Sequence, residues 1–256
     1  MKKVFTLLLA CIILAAPLYA QESIVSRDKD IPCGTIEPKG PVLTNEQIVA
    51  ITLQDPMLSA KQKQQIQQKV ALVENSYFSK MADSDTTLYV NPIMQETNVW
   101  CAAATIQQTL GYMGVSYNSQ SSIMQSTGAA PALATVLSCL NSKQSDNNYI
   151  RSVVNSQTDL DNRLAYAYRF DSPVVFTMKA TTGNVSNGIW PYSTNGHFTN
   201  LCGKSPYGTA PYRVADPFYF KHYVSSAGSG LLFRSFDQFW TVNGNLFGSN
   251  NHTIGY

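Results

Sequence analysis

Helical periodicity fills the first part of this chain and strand patterning the last, and the two do not alternate. That order constrains the fold more than any other feature. A doubly wound parallel sheet needs strands and helices in turn, whereas helices followed by paired strands give α+β. Thr44-Asn45-Glu46-Gln47 is a capping box that opens a short helix to about Leu53. Asp55-Pro56 breaks it. Ser59 then caps a longer helix through about Met81, with Ile66, Val70, Val73 and Tyr77 at helical steps and Gln and Lys on the other face. Further helices are predicted over Asn98–Met113, with Gly114 as C-cap, over Ala130–Leu140, and from Thr158-x-x-Asp161 through Tyr168. Leu88-Tyr89-Val90, Pro173–Met178, His197–Gly203 and Tyr212–Ala215 read as strands, and Ser235–Trp240 as a late helix or turn. The Asn- and Ser-rich stretches 141–158 and 181–195 read as loops. No internal repeat is visible.

The amino terminus carries its own signal. Lys2 and Lys3 precede an apolar run from Val4 to Ala16, and Leu18-Tyr19-Ala20 suits a cleavage site, so residues 1–20 read as a secretory signal peptide. The run is shorter than the ~20 residues that a bilayer span needs, which argues against an anchor. Residues 21–43, with Pro32, Gly34, Pro38, Gly40 and Pro41, form an irregular lead-in. The helical segment that follows is either an appendage or a pro-region, so 21–86 is set apart from a domain over 87–256. The expected location is secreted or periplasmic, with no stable membrane association after cleavage.

Cleavage also changes the charge. The whole chain has 18 basic and 16 acidic groups; loss of Lys2 and Lys3 leaves 16 of each. No basic stripe remains to bind nucleic acid. Only 13% of residues are charged and 11% are aromatic, a balance that excludes a disordered chain. Of five cysteines Cys11 leaves with the signal, and Cys33, Cys101, Cys139 and Cys202 enter a compartment where disulfides persist.

With only His197, His222 and His252 present, the candidates for a base beside a nucleophilic cysteine are few. Cys101 precedes Ala102-Ala103-Ala104, a run small enough to press a helix against a sheet. Placed in the first turn of that helix, its sulfur meets unpaired N–H groups and the positive end of the helix dipole, which favour the thiolate. Gln95, six residues earlier, can donate from its amide to a developing oxyanion beside the Cys101 backbone N–H. His197 in Asn195-Gly196-His197-Phe198 opens a strand, and Asp216 in Val214-Ala215-Asp216-Pro217 closes the next. Adjacent antiparallel strands would set Asp216 beside His197, fixing the imidazole tautomer. Against this stand blander roles: a disulfide or core cysteine, a core histidine, a turn-forming Asp before Pro and a solvated Gln. His222 is expected at the surface and His252 frayed near the end. Trp100, Trp190, Tyr192, Phe218 and Trp240 are expected in core or cleft wall. No His-x-x-x-His or close Cys pair suggests a metal site.

Gln95 with Cys101 six on, Gly196-His197-Phe198, and Asp216-Pro217 closing the next strand resemble the papain-like cysteine peptidases. The resemblance is to the bacterial branch with double-glycine leader peptidases and secreted effector proteases. Ser172-Pro173-Val174-Val175-Phe176 and Ser235-Phe236-Asp237-Gln238-Phe239-Trp240 look like further elements of that branch. The likeness covers about residues 87–242. Three Ala after Cys101, and a long polar stretch between Met178 and His197, depart from the pattern. The resemblance implies an α+β papain-like domain, its helices packed on an antiparallel sheet. It implies hydrolysis of a protein or peptide substrate through a thioester, with Cys101, His197, Asp216 and Gln95 as site residues and no metal or cofactor. A transglutaminase-like acyltransferase or a non-catalytic binding module on the same scaffold remains open. If Cys101 stays free, at most one disulfide forms among Cys33, Cys139 and Cys202.

Overall fold

The computed structural model describes residues 43–56, 58–74, 86–128, 130–205, 207–222, 230–247 and 251–256, with the side chains of 220–222 left aside. The signal segment, residues 21–42 of the lead-in with Cys33, and Tyr77 lie outside the described residues. Local caps set the first helices. Thr44 takes a hydrogen bond from Gln47 N while the Gln47 side chain takes one from Thr44 N, which starts α1, Asn45–Leu53. Ser59 and Gln62 repeat that exchange at the head of α2, Ala60–Glu74. Ile66 and Val73 on α2 are buried as the periodicity requires, and Val70 is half-buried. Lys69 departs from it. The lysine lies not on the outer face but in the core, 2% exposed, donating to Asn147 Oδ1 at 2.7 Å, Asn148 O at 2.7 Å and Tyr256 O at 2.9 Å.

The strand reading of Leu88–Val90 is corrected: the ladder holds only Thr86–Thr87, β1. Leu88 N still reaches Cys202 O, but Val90 N turns back to Leu88 O, a local bond that ends the pairing. Helix α3, Cys101–Tyr112, ends with Gly114 at φ 69°; Val115 N bonds Leu110 O and Gly114 N bonds Gly111 O, closing the last turn as a Schellman motif. Helix α4, Gln120–Thr127, follows on the Ser119 cap, which the sequence reading did not find. Helix α5 is Leu133–Lys143, shifted a few residues later than expected because Pro131 and Ala132 lie before its first turn. The two presumed loops contain structure: β2, Arg151–Val154, in one and a short helix α7, Thr182–Ser186, in the other.

Helix α6, Gln157–Arg169, starts from Ser156, not from Thr158. Asp161 is not a capping partner, because its carboxylate takes the Tyr212 hydroxyl at 2.8 Å and the Lys204 ammonium at 2.8 Å. The remaining elements are β3, Val174–Ala180; β4, Thr194–Lys204; β5, Tyr212–Ala215; α8, Pro217–His222; β6, Leu231–Arg234; α9, Phe236–Phe247; and β7, His252–Gly255. The strands pair antiparallel in the order β2-β7-β3-β4-β5-β6, with β1 added to the far end of β4. The fold is α+β around an open antiparallel sheet. His252 is not frayed: it is a buried residue of β7, its ring stacked on Trp240.

Alternation along β3 divides the core. Val175 joins the cluster of α3, α4 and α5, while Val174, Phe176 and Met178 join the cluster containing α1, α2, α6 and α9. Ala102, Ala103 and Ala104 are fully buried on α3, as a close approach to the sheet demands. The contact between α3 and β4 is also polar. Asn200 on β4 donates to Thr105 O at 3.2 Å and Gln108 Oε1 at 3.0 Å, and accepts from Thr109 Oγ1 at 3.0 Å. A buried amide satisfied on both sides fixes the position of the helix along the strand.

Candidate active site

Cys101 is the first residue of α3, and Trp100 precedes it as N-cap without supplying a side-chain hydrogen bond. The cap residue thus leaves first-turn N–H groups to other partners. The loop leading in is held by glutamines. Gln108 Nε2 donates to Ile93 O at 3.1 Å; Gln120 Nε2 donates to Met94 O at 2.9 Å, and its Oε1 accepts from Glu96 N at 2.9 Å. Gln120 is 1% exposed, so these bonds are dry. Gln95, between the two positions that Gln120 grips, is fully buried and not solvated. Its backbone N–H reaches Pro217 O at 3.3 Å and its Nε2 donates to Thr97 O at 2.6 Å, while Oε1 makes no hydrogen bond.

His197 lies in β4, three residues before Asn200. Its Nε2 is 3.0 Å from Asp216 Oδ1, and both side chains are fully buried. The β4–β5 ladder explains the encounter: Asn200 pairs with Ala215, so Asp216 leaves the end of β5 beside the start of β4. Asp216 does two jobs. Its Oδ1 also accepts from Phe218 N and Tyr219 N, both at 2.9 Å, which makes it the cap of α8 as well as the partner of His197. Its Oδ2 accepts from the Tyr192 hydroxyl at 2.5 Å. The turn-forming role and the His-pairing role are therefore one arrangement.

Electrostatics follow from this packing. Burial is the largest influence on His197 and pulls its pKa down, but the Asp216 carboxylate and the Cys101 sulfur outweigh it and carry the ring up to about 9. Burial likewise works to raise the Asp216 carboxyl, yet His197, the Tyr192 hydroxyl and the Tyr219 amide together hold it below the usual value. The Cys101 sulfur acts on the His197 ring both by charge and by hydrogen bonding, and both raise its proton affinity. The thiol and imidazole thus stand close enough to act on one another. Cys101, Cys139 and Cys202 are all free thiols, so Cys101 is in no disulfide with either. Burial pushes Cys139 up and Cys202 to about 12.

The structure thus brings His197 and Asp216 into contact, sets Cys101 within electrostatic reach of His197, and holds Gln95 in the loop before it. His222 belongs to the backbone of α8, with its side chain outside the described residues. Among the described residues no group of three His, Cys, Asp or Glu could hold a metal ion, and no helix is long and apolar enough to cross a membrane. Sequence reasoning missed what the glutamines Gln108 and Gln120 hold and the partner of Tyr192; a Tyr five residues before His197 was the one available hint.

No protein-family model matches the chain, and no curated protein sequence does. Among solved structures, a double glycine motif protease from an AMS/PCAT transporter, in complex with the leader peptide, aligns at 12% identity and a TM-score of 0.38. The alignment covers 66% of this chain and 91% of that one. A likeness at this level carries neither fold family nor activity across.

Proposed function

We propose that this chain is a secreted cysteine peptidase of papain-like architecture that hydrolyses peptide bonds through Cys101, His197 and Asp216. The observation that carries the reading is the fully buried His197, bonded to Asp216 through Nε2 and acted on by the Cys101 sulfur.

The roles follow from the atoms. His197 takes the Cys101 proton, and the sulfur attacks the substrate carbonyl carbon, forming a C–S bond. The carbonyl oxygen gains the negative charge and lies against the Cys101 backbone N–H and the Gln95 amide, one of whose two Nε2 hydrogens is committed to Thr97 O. Collapse breaks the C–N bond, and the departing amine takes the proton from His197. Water, deprotonated by His197, then hydrolyses the thioester and returns the thiol. Asp216 holds the ring by its Nε2 side and stabilises the imidazolium. Cys101 and His197 are both fully buried, so a substrate carbonyl reaches the sulfur only when covering residues move aside.

The test is incubation of the purified chain with a peptide library, read by mass spectrometry, with and without a labelled amine. Hydrolysis products that vanish in Cys101→Ala, with stability changed by no more than ~1–2 kcal/mol, support the reading. Dominant amine incorporation replaces hydrolysis by acyl transfer to amines; no covalent chemistry at all leaves a binding module. Secretion rests on residues 1–20 alone, and the mass of the exported chain tests it together with retention of 44–82.

A further inference from the structure

Asp216 is held by more than its partner histidine, and the additional donor comes from a different part of the chain. Tyr192 lies in the connection between α7 and β4, 24 residues before Asp216. Its hydroxyl reaches the carboxylate oxygen that His197 does not use. Its ring stands edge-on to the His197 imidazole, with centroids 5.7 Å apart and planes at 87°, and edge-on to Phe218 at 4.7 Å. Trp190 backs it at 6.5 Å. Tyr192, Phe218 and Trp190 are each at most 3% exposed, so the aromatic wall closes the His197–Asp216 contact to water.

We infer that Tyr192 is a positioning residue of the active site: it fixes the Asp216 carboxylate so that Oδ1 faces His197, and it keeps that carboxylate ionised inside a dry aromatic wall. The inference rests on the peptidase reading for its catalytic meaning, but the physical claim concerns Asp216 alone.

The chemistry is specific to a carboxylate. A buried carboxylate without donors protonates, because desolvation disfavours its charge. Oδ1 has His197 and the Phe218 and Tyr219 amides; among the hydrogen bonds of the described residues, Oδ2 has Tyr192. Other charged and titratable groups act here too. The Arg234 guanidinium, stacked 5.1 Å from the Trp190 ring, is near enough to feel Asp216, Tyr192 and Tyr219, and the Cys101 sulfur acts on Tyr192. Without the Tyr192 hydroxyl, Oδ2 would face a phenyl edge, and the carboxyl would gain a proton at a higher pH. A protonated Asp216 no longer supports imidazolium at His197.

The experiment compares the wild type with Tyr192→Phe, which keeps the ring and removes the donor. The Asp216 carboxyl is followed by carbon-13 resonance against pH, and Cys101 alkylation by iodoacetamide is followed over the same range. The expected result is an Asp216 midpoint raised by about one pH unit, the size of a charge-assisted hydrogen bond, with the acid limb of alkylation moving in step. Tyr149→Phe is the control, since Tyr149 is another buried tyrosine whose hydroxyl donates to Pro173 O at 2.9 Å; it should lower stability and leave Asp216 unmoved. In the wild type itself, the Tyr192 ring resonances should follow the Asp216 titration, a readout that needs no variant. An unmoved Asp216 midpoint, or a wild-type Tyr192 that ignores the Asp216 titration, overturns the inference. Loss of peptide hydrolysis in every variant and in the wild type would overturn the peptidase reading while leaving the Asp216 titration to judge Tyr192.

Discussion

Replacing Lys69 with Met tests whether the helical segment is bound into the sheet core by a buried amine. The wild-type ammonium gives a hydrogen bond to each of Asn147 Oδ1, Asn148 O and Tyr256 O, and sits 5.0 Å from the Tyr256 ring centroid and 5.6 Å from that of Tyr166. Burial alone lowers its pKa from 10.5 to about 7. A base with a depressed folded pKa binds fewer protons folded than unfolded between those two values. Stability therefore rises with pH there, by about 1.4 kcal/mol per unit. Below pH 7 the buried charge costs about 5 kcal/mol, on the scale of 1.36 kcal/mol per unit. Met removes that cost but takes the donor from Asn147 Oδ1 and Asn148 O, at ~1–3 kcal/mol each, while Tyr256 O keeps its bond from Ile150 N. Near pH 6 the two effects largely offset. By pH 9 the wild type has shed most of its penalty, so the deficit of Lys69→Met should widen by about 2 kcal/mol between pH 7 and 9. Urea unfolding of both proteins at those pH values measures this, and other titrations common to both cancel in the difference. A deficit that stays constant with pH refutes the depressed pKa. A variant as stable as the wild type at every pH refutes the clasp.

Three further outcomes follow from the site and the sheet. The raised His197 contributes stability that is complete below about 6.5 and lost as pH rises through about 9, whereas depressed Asp216 contributes stability present above 3.8 and lost as pH falls through its folded value; calorimetry across that range, compared with His197→Ala, should show both limbs, and hydrolysis should fall on the alkaline side near 9. Gln120→Ala frees Met94 O and Glu96 N on either side of Gln95, so kcat for peptide hydrolysis should drop by about ten-fold while alkylation of Cys101 by a small reagent is retained; equal loss of both would mean the loop does more than hold the oxyanion donor. Gly255→Ala drives a methyl into the Leu137 side chain across β7 and α5, and thermal unfolding should show a loss of about 1–3 kcal/mol, with no loss marking a β7 that yields.

The parts legible in the sequence were those written locally. The Thr44 capping box, the Gly114 helix end and the Tyr212–Ala215 strand each depend on a few neighbouring residues and stand where expected. The place of Cys101 in the first turn of α3 was legible because small residues follow it, although the helix begins at Cys101 and not at the expected Asn98; the His197–Asp216 encounter was legible because consecutive strands pair. What stayed hidden depends on distant partners. Central β7 is four residues long and takes its ladder from β2 and β3, about 100 and 80 residues earlier, so nothing nearby marks His252 as buried. Sequence alone puts Lys69 on the outer face with the other Lys and Gln, since lysine is rarely buried unless paired; its three oxygens lie 78 to 187 residues away. Tyr192 looked like core packing because its role lies in one hydroxyl and a carboxylate across the site.

The central claim, that Cys101 is a nucleophile activated by His197, is met most directly by the rate at which iodoacetamide labels each thiol of the folded protein at neutral pH. Cys202 is the internal standard, equally buried and without a histidine among the groups acting on it. The account predicts that Cys101 is labelled first, and that His197→Ala slows it about ten-fold or more without changing Cys139 or Cys202. A Cys101 no faster than Cys202, or one indifferent to the loss of His197, contradicts it.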